Sequence, residues 1–169
     1  IDMSSDLGSY KFNFDNLSYI YAGAQKNMGI PGVTICLVKD DFLIDTENPK
    51  YLNLKQLTES KSILNTPPTL SIYVLNLITH WMIEMGGIEY FQSKSEYQSK
   101  KMYDFIDNNS EILNCNVDLK FRSKSNIVFN FLKDNQNKEF VDFAIENGII
   151  GINGHRSVGG IRVSLFNSV

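Results

Sequence analysis

The alternation of hydrophobic and polar residues predicts a strand-rich beginning, then two long helices, then a mixture of strands and helices. Two apolar runs, LSYIYA at residues 17–22 and VTICLV at residues 33–38, predict β-strands. The second run is apolar on both faces, which is typical of a strand in a parallel or mixed sheet covered on both sides. Residues 1–3 fit the end of a further strand.

Helical spacing begins after the dipeptide Pro67-Pro68. Apolar side chains recur there at intervals of three and four, which predicts a helix from Thr69 to the pair Gly86-Gly87. A second amphipathic helix is predicted over residues 88–106. Its expected packing residues are the large apolar ones: Tyr90, Phe91, Tyr97, Met102, Phe105 and Ile106.

The end of the chain predicts a small α+β arrangement. SNIVFNFL at residues 125–132 predicts a strand, and residues 138–147 predict a helix that ends at Gly148. GIRVSLF at residues 160–166 alternates apolar and polar positions like a half-buried strand. The expected fold class is therefore α/β, turning to α+β after about Ser95.

Composition and charge narrow the classes of function. The 169 residues are 43% hydrophobic and 12% aromatic, which suits a globular protein of one domain or two small ones. The net charge is −3 and no long basic run occurs, so neither nucleic acid nor an anionic membrane is indicated as a partner. No apolar run reaches the length of a membrane span. No metal-ligand spacing is present, and Cys36, inside VTICLV, is expected to be a buried reduced thiol.

Both ends of the chain favour a piece of a longer protein. It opens on IDMSSD without an initiator methionine and stops on SLFNSV, within what the pattern predicts as a strand. The cytoplasm is the default location, while a targeting peptide in a missing N-terminal part stays open.

The first candidate for chemistry is Lys26, in YAGAQKNMG at residues 21–29. Small and turn-forming residues surround it and allow another group to approach the backbone closely. An amine held at the end of a strand can act as a nucleophile toward an aldehyde. The spacing alone favours the alternative, a loop lysine in water, because most lysines are exposed.

The second candidate is GHRSVGGIR, residues 154–162, in which two arginines and a histidine lie among glycines. Arg156 and Arg162 can each bind a carboxylate or phosphate with two parallel N–H bonds. The glycines permit a turn in which both side chains point to one spot. An ordinary hairpin with exposed cations explains the pattern equally well.

Two weaker signals complete the set. Asn65 and Thr66 precede a rigid diproline and a helix start, where they could bind an anion, although helix entry with Thr69 as the cap is the simpler interpretation. Asp2 stands at the end of a predicted strand, a common place for a functional carboxylate in α/β sheets.

Taken together, these motifs resemble the phosphoserine aminotransferase family, which belongs to the class V, fold type I pyridoxal-phosphate aminotransferases. The resemblance covers nearly the whole chain through DMSSD, IYAGAQKNMG, LNTPPT and GHRSVGGIR, in the family's order and spacing. It implies that residues 1–95 are the C-terminal part of the large cofactor-binding domain. Residues 96–169 would be a small C-terminal domain, incomplete at its end.

The resemblance also implies roles for individual residues. Lys26 corresponds to the Schiff-base lysine, which binds pyridoxal 5'-phosphate and later shuttles a proton. Asp2 corresponds to the carboxylate at the pyridine nitrogen, which keeps that nitrogen protonated. Gln25 would contact the phosphate region, and Asn65 and Thr66 would reach the cofactor phosphate of a neighbouring subunit in a homodimer.

The implied reaction transfers an amino group between L-glutamate and 3-phosphohydroxypyruvate, in L-serine biosynthesis. His155 and Arg156 would bind the substrate phosphate, and Arg162 the α-carboxylate. Family members are roughly twice as long, so the first half of their chain has no counterpart here, and the remaining strands are expected to expose apolar faces.

Two alternatives stay open from the sequence. The chain could be a catalytically inactive fragment of such an enzyme that retains only a dimerisation or binding role. It could also belong to another class V group, such as the serine–glyoxylate aminotransferases or the cysteine desulfurases. GHRSVGGIR disfavours the second alternative, because a phosphate-binding His-Arg pair has no use with unphosphorylated substrates.

Overall fold

The computed structural model describes residues 1–169, with the exception of the side chain of Asp134. The chain forms two compact units, Ile1–Glu89 and Tyr90–Val169. None of the helices over the described residues is long and apolar enough to cross a membrane.

The first unit contains a small two-stranded sheet. Strands β1 (Tyr19–Gly23) and β2 (Thr34–Val38) pair antiparallel, with Tyr21 opposite Cys36. Asp2 adds a parallel bridge to Tyr21. Both predicted strands are confirmed within two residues. The sheet covered on both faces, which the apolar pattern of the second strand indicated, is not present in the described residues, because three of the five residues of β2 are exposed.

One face of β1 carries the small core of this unit. Ile20 and Ala22 are buried there against Met3, and three partly buried residues pack on the cluster: Leu7, Phe12 and Leu17. The prediction of a buried thiol at Cys36 is wrong, because this residue is exposed. Strand β2 pairs only with β1 among the described residues, and most of its positions remain exposed despite their apolar composition.

Two helices follow in the first unit. Helix α1 (Leu54–Glu59) begins at Asn53, whose side chain accepts a hydrogen bond from the backbone N–H of Gln56. Helix α2 (Thr69–Glu84) confirms the predicted helix. The interpretation of Thr69 as its cap is wrong. Pro68 occupies the cap position, and the Thr69 hydroxyl turns back to the Pro67 carbonyl at 3.4 Å.

The second unit is a four-stranded antiparallel sheet with two helices. Its strands are β3 (Leu113–Asn114), β4 (Asn126–Phe131), β5 (Asn153–His155) and β6 (Gly159–Ser164), in the spatial order β3-β4-β6-β5. Helix α3 (Gly87–Asn108) precedes β3, and α4 (Asp134–Glu146) lies between β4 and β5. The predicted strands and helices are confirmed, although α4 begins four residues earlier than its apolar pattern indicated.

The core of the second unit lies between this sheet and its helices. Ile106, Ile127 and Ile161 are almost fully buried in it. The prediction that Tyr90, Tyr97 and Phe105 of α3 pack into the core is wrong, because all three side chains are exposed.

The buried stripe of α3 contains serines in place of those aromatic residues. It runs through Phe91, Ser95, Ser99 and Ile106. The Ser95 hydroxyl donates to the Lys124 carbonyl, and the Ser99 hydroxyl donates to the Glu96 carbonyl. Because backbone carbonyls satisfy both hydroxyls, the small side chains can be buried at low cost, which the hydrophobic pattern did not show.

Candidate active site

Lys26 lies in the tight turn that follows β1. Ala22 and Ala24 on its N-terminal side are almost fully buried. The Lys26 side chain is half-buried, and its Nζ donates a hydrogen bond of 2.6 Å to the Ser5 hydroxyl. The alternative of a fully solvated loop lysine is therefore not what the structure shows.

The neighbouring Asn27 anchors this turn and was missed by the sequence analysis. Its side chain is 5% exposed. Its Nδ2 donates to the backbone carbonyls of Ser5 at 3.0 Å and Leu7 at 3.2 Å. The amide therefore ties the lysine turn to the DMSSD segment. No signal for this role was available from the sequence beyond the position of Asn27 directly after Lys26.

Asp2 is held by Ser4. Oδ1 of Asp2 accepts hydrogen bonds from the Ser4 backbone N–H at 2.9 Å and from the Ser4 hydroxyl at 2.6 Å. These two bonds, the hydroxyl first, lower the pKa of Asp2, and the positive charge of Lys26 lowers it further. Asp2 is thus an ionised carboxylate at neutral pH, next to the lysine turn.

Ser4 also connects this carboxylate to the end of β1. Its hydroxyl oxygen accepts a hydrogen bond of 3.0 Å from the backbone N–H of Gly23. A Cβ at Gly23 would lie 2.4 Å from Oε1 of Gln25, so the exposed Gln25 side chain folds back over the strand end into the space that glycine leaves. The structure therefore brings Asp2, Gln25 and Lys26 together.

Asn65 and Thr66 are exposed and lie in the irregular segment that precedes α2. The start of α2 is fastened to the loop after the lysine turn, because the Ser71 hydroxyl donates to the Pro31 carbonyl at 2.9 Å. A Cβ at Gly32 would lie 2.8 Å from the same hydroxyl. Asn65 and Thr66 keep their side chains accessible to a ligand or to another chain.

In the second unit, GHRSVGGIR forms the hairpin of β5 and β6. His155 and Arg156 are exposed at its tip. Nδ1 of His155 lies 2.7 Å from the Ser157 hydroxyl, which orients the imidazole. Lys138, His155 and Arg156 line an open depression of about 450 Å³ beside the tip.

The glycines of this hairpin have a packing role. A Cβ at Gly154 would lie 1.8 Å from the carbonyl oxygen of Gly159, and a Cβ at Gly160 would lie 2.3 Å from Oδ1 of Asn130. The approach of β5 to β6 thus explains Gly154, whereas Gly159 and Gly160 have positive φ angles of 75° and 74°, which glycine adopts readily. The structure shows a hairpin whose tip presents cations. That Arg156 and Arg162 point to one spot stays a prediction.

Arg162 differs from the two residues at the tip. It lies on β6 opposite Val128 and is half-buried. Its Nε is buried and has no hydrogen-bond partner. A buried donor without an acceptor costs about 1–3 kcal/mol, so this guanidinium is suited to an incoming carboxylate.

The predicted residues therefore form two sets. The first unit carries Asp2, Gln25, Lys26, Asn65 and Thr66, and the second carries His155, Arg156 and Arg162. Among the described residues, no cluster of His, Cys, Asp or Glu is arranged to hold a metal ion.

Comparisons with known proteins agree with one another. The family model for aminotransferase class-V matches residues 1–169. A phosphoserine aminotransferase of Bacillus cereus is 38% identical over 99% of this chain and 47% of its own. A phosphoserine aminotransferase of Drosophila melanogaster is 41% identical over 99% of this chain and 48% of its own.

A solved structure shares the same fold. The phosphoserine aminotransferase of Trichomonas vaginalis with bound PLP matches with a TM-score of 0.91 and 29% identity, over 99% of this chain and 49% of that one. The chain therefore spans about half the length of the relatives it matches.

Proposed function

The chain belongs to the class-V aminotransferase family, and we propose that it supplies the lysine-bearing part of a pyridoxal-phosphate-dependent phosphoserine aminotransferase. The proposed reaction exchanges an amino group between L-glutamate and 3-phosphohydroxypyruvate and yields O-phospho-L-serine and 2-oxoglutarate. The observation that carries the proposal is the hydrogen-bonded arrangement of Asp2 and Lys26 around the Ser4-Ser5 dipeptide. The named relatives support the same assignment.

The residues present fit pyridoxal phosphate. Asp2 is a carboxylate with a lowered pKa, which suits the protonated ring nitrogen. Lys26 offers a primary amine for the aldehyde, and the buried Ala22 and Ala24 keep the surrounding wall small. When bound, the cofactor supplies a sink for the electron pair released when the Cα–H bond of the substrate breaks.

Lys26 would hold the cofactor and then move a proton at the substrate Cα. A general acid–base group has to lie within hydrogen-bond reach of the proton that it transfers. The tethered turn after β1 limits where the Lys26 amine can go, because Asn27 fixes the backbone beside it. Asp2 would hold the proton on the ring nitrogen throughout.

Three residues of the second unit would bind the substrate anions. Arg162, with its unpartnered buried Nε, suits the α-carboxylate that every amino and keto substrate carries. His155 and Arg156 at the hairpin tip suit the phosphate, which distinguishes the phosphorylated substrates from L-glutamate.

We further propose that the chain works as part of a longer polypeptide in a homodimer. Large apolar side chains of the first unit are exposed on α2 and β2, among them Leu37, Leu70 and Tyr73. An apolar surface of this kind is usually covered by other protein. Asn65 and Thr66, also exposed, would reach the cofactor phosphate of the second subunit.

The proposal is tested by trapping the cofactor on the full-length protein from its native source. Pyridoxal phosphate is added, the sample is reduced with borohydride, and the intact protein and its peptides are weighed. One reduced adduct on Lys26 is expected, and it should be absent from Lys26→Ala. An unmodified Lys26 in the folded full-length protein would overturn the cofactor assignment.

The substrate assignment is tested on the same protein. Spectra of the bound cofactor are recorded after addition of L-glutamate, and then of 3-phosphohydroxypyruvate or its unphosphorylated counterpart hydroxypyruvate. Rapid reaction with the phosphorylated acid and slow reaction with hydroxypyruvate are expected. Equal rates with both acids would favour another class V activity.

A further inference from the structure

The dipeptide Ser4-Ser5 contacts both charged groups of the first unit. The Ser4 hydroxyl donates to Oδ1 of Asp2 at 2.6 Å, and the Ser5 hydroxyl accepts from Nζ of Lys26 at 2.6 Å. Of these two consecutive residues, Ser4 is the hydrogen-bond donor to the anion and Ser5 is the hydrogen-bond acceptor from the cation. A serine hydroxyl can take either role and carries no charge of its own.

Each serine is also fixed by a second contact to the lysine turn. The Ser4 hydroxyl oxygen accepts from the backbone N–H of Gly23, and the Ser5 carbonyl accepts from Nδ2 of Asn27. Both serines are half-buried, so their positions are set by this network rather than by solvent. The network spans residues far apart in the chain, since Ser5 and Lys26 are separated by 21 positions.

The positive charge of Lys26 lies close enough to Asp2 to lower the pKa of that carboxyl group. A lysine side chain is long and flexible and loses up to about 2 kcal/mol of rotamer entropy when it is held in one place. A hydrogen bond to Ser5 offsets part of this cost before any cofactor arrives. The hydrogen bond from Ser4 likewise orients the Asp2 carboxylate before any cofactor arrives.

We propose that Ser4 and Ser5 act as a pair of positioning residues, one hydroxyl holding the Asp2 carboxylate and the adjacent hydroxyl holding the Lys26 amine for the cofactor. This inference rests on the proposed function. It assigns separate tasks to the two serines: Ser4 acts through the contact of Asp2 with the ring nitrogen, and Ser5 acts through the attachment of Lys26 to the aldehyde.

The task of Ser4 is tested with a cofactor analogue that lacks the ring nitrogen. Dissociation constants of pyridoxal phosphate and of its 1-deaza analogue are measured for the full-length protein and for Ser4→Ala. Ser4→Ala should weaken the binding of pyridoxal phosphate about tenfold, the effect of one hydrogen bond to a charged group. The binding of the deaza analogue should stay unchanged. Equal losses for both, or none for either, would overturn the task assigned to Ser4.

The task of Ser5 is tested with pyridoxamine phosphate, which has no aldehyde and therefore cannot be joined to Lys26. The rate at which a borohydride-stable adduct forms on Lys26 is measured by quenching at successive times. Ser5→Ala should slow this rate about tenfold, the effect of losing one charged hydrogen bond. Its affinity for pyridoxamine phosphate should stay unchanged. An unchanged rate, or a parallel loss of affinity for pyridoxamine phosphate, would overturn the task assigned to Ser5.

Ser9→Ala is the matched control. Ser9 is buried in the same segment, and its hydroxyl donates to the Asp6 carbonyl, so it contacts neither charged group. This variant should reproduce the wild-type values in both experiments. Each test compares two ligands on one variant, so a general loss of folded protein affects both ligands and cannot imitate the expected pattern.

The proposed function and this inference fail in different ways. If the wild-type protein forms no adduct on Lys26, the cofactor assignment fails. If the wild-type protein forms the adduct and either serine variant lacks its expected selectivity, the cofactor assignment stands and the positioning pair is wrong.

Discussion

The charged groups of the lysine turn in the first unit have hydrogen-bond partners, whereas the arginines of the β5–β6 hairpin in the second unit are left open to a ligand. Asp2 and Lys26 each have a serine hydroxyl as partner. Arg162 keeps a buried Nε without a partner, and Arg156 is exposed at the hairpin tip. The first arrangement suits a group that stays bound through many turnovers, and the second suits anions that arrive and leave.

The difference has an energetic reason. A resident cofactor benefits from groups that are already in place, because ordering them during binding would reduce its affinity. A substrate carboxylate benefits from a donor that lacks an acceptor in the free protein, because binding then removes a cost of about 1–3 kcal/mol. The four experiments below test this contrast, from the largest expected effect to the smallest.

Removal of the amine in the lysine turn should have the largest effect. Lys26→Ala in the full-length protein is expected to lower transamination by about 10³-fold or more, since general acid–base catalysis alone contributes ~10²–10⁴. Steady-state rates of transamination measure this loss. Lys39→Ala, an exposed lysine at the end of β2, is the control and should keep wild-type rates. Substantial turnover by Lys26→Ala would contradict the role of the turn.

Arg162→Ala should separate activity from stability. Loss of the carboxylate contact is expected to cost about 2–5 kcal/mol in kcat/KM for every substrate. The free energy of unfolding without substrate should not fall, because a buried unpartnered donor is removed. Urea denaturation and kinetics measure the two effects.

Arg122→Ala is the opposite case in the same unit. Arg122 is paired with Asp107 through two hydrogen bonds of 2.6 and 2.8 Å, so its removal should lower stability and leave substrate binding intact. If Arg162→Ala destabilises the protein as much as Arg122→Ala does, the Arg162 side chain is structural and the contrast between the two sites is wrong.

Arg156→Ala should discriminate between substrates by a smaller amount. Because Arg156 is exposed, its loss is expected to cost about 1.5–3 kcal/mol in kcat/KM for the phosphorylated substrates, the value of a charged hydrogen bond. The half-reaction with L-glutamate should be nearly unchanged. Stopped-flow rates of both half-reactions measure this, with the exposed Lys120→Ala as the control. Equal losses in both half-reactions would show that Arg156 supports the hairpin and does not bind phosphate.

The smallest expected effect is a loss of the stability contributed by the Asp2 carboxylate at acidic pH. The pKa of Asp2 is lowered from 3.8 in the folded protein, chiefly by Ser4. The stabilising contribution of the carboxylate is therefore fully present above the ordinary pKa and is lost as the pH falls through the lowered folded value.

The measurement compares urea midpoints of the wild-type protein and Ser4→Ala between pH 7 and pH 3. The stability difference should be constant down to about pH 5, because the carboxylate is ionised there in both proteins. It should shrink below about pH 4. The difference for Ser9→Ala should show no such dependence, and a Ser4→Ala difference that grows as the pH falls would contradict the sign of the shift.

In both units, local patterns predicted the strands and helices better than the buried faces. The strands around the lysine turn and both long helices follow from apolar periodicity, because this signal depends only on neighbours in the chain. The faces that are buried were harder to predict. Cys36 is exposed although its run is apolar, and the stripe of α3 includes Ser95 and Ser99 in place of Tyr97 and Phe105. Burial depends on which elements pack together, and periodicity does not contain that information.

The sequence by itself determined the order of the motifs, the turn that carries Lys26 and the presence of arginines among the glycines of GHRSVGGIR, since these are properties of residues close together in the chain. Only the tertiary structure decided which partners they have. The hydroxyls of Ser4 and Ser5 reach Gly23 and Lys26 across about twenty residues, and Nε of Arg162 loses its access to solvent on β6 without gaining an acceptor. Hydrogen bonds between distant segments arise only when the sheet and its turns are assembled, because folding brings those donors and acceptors within 3 Å of one another.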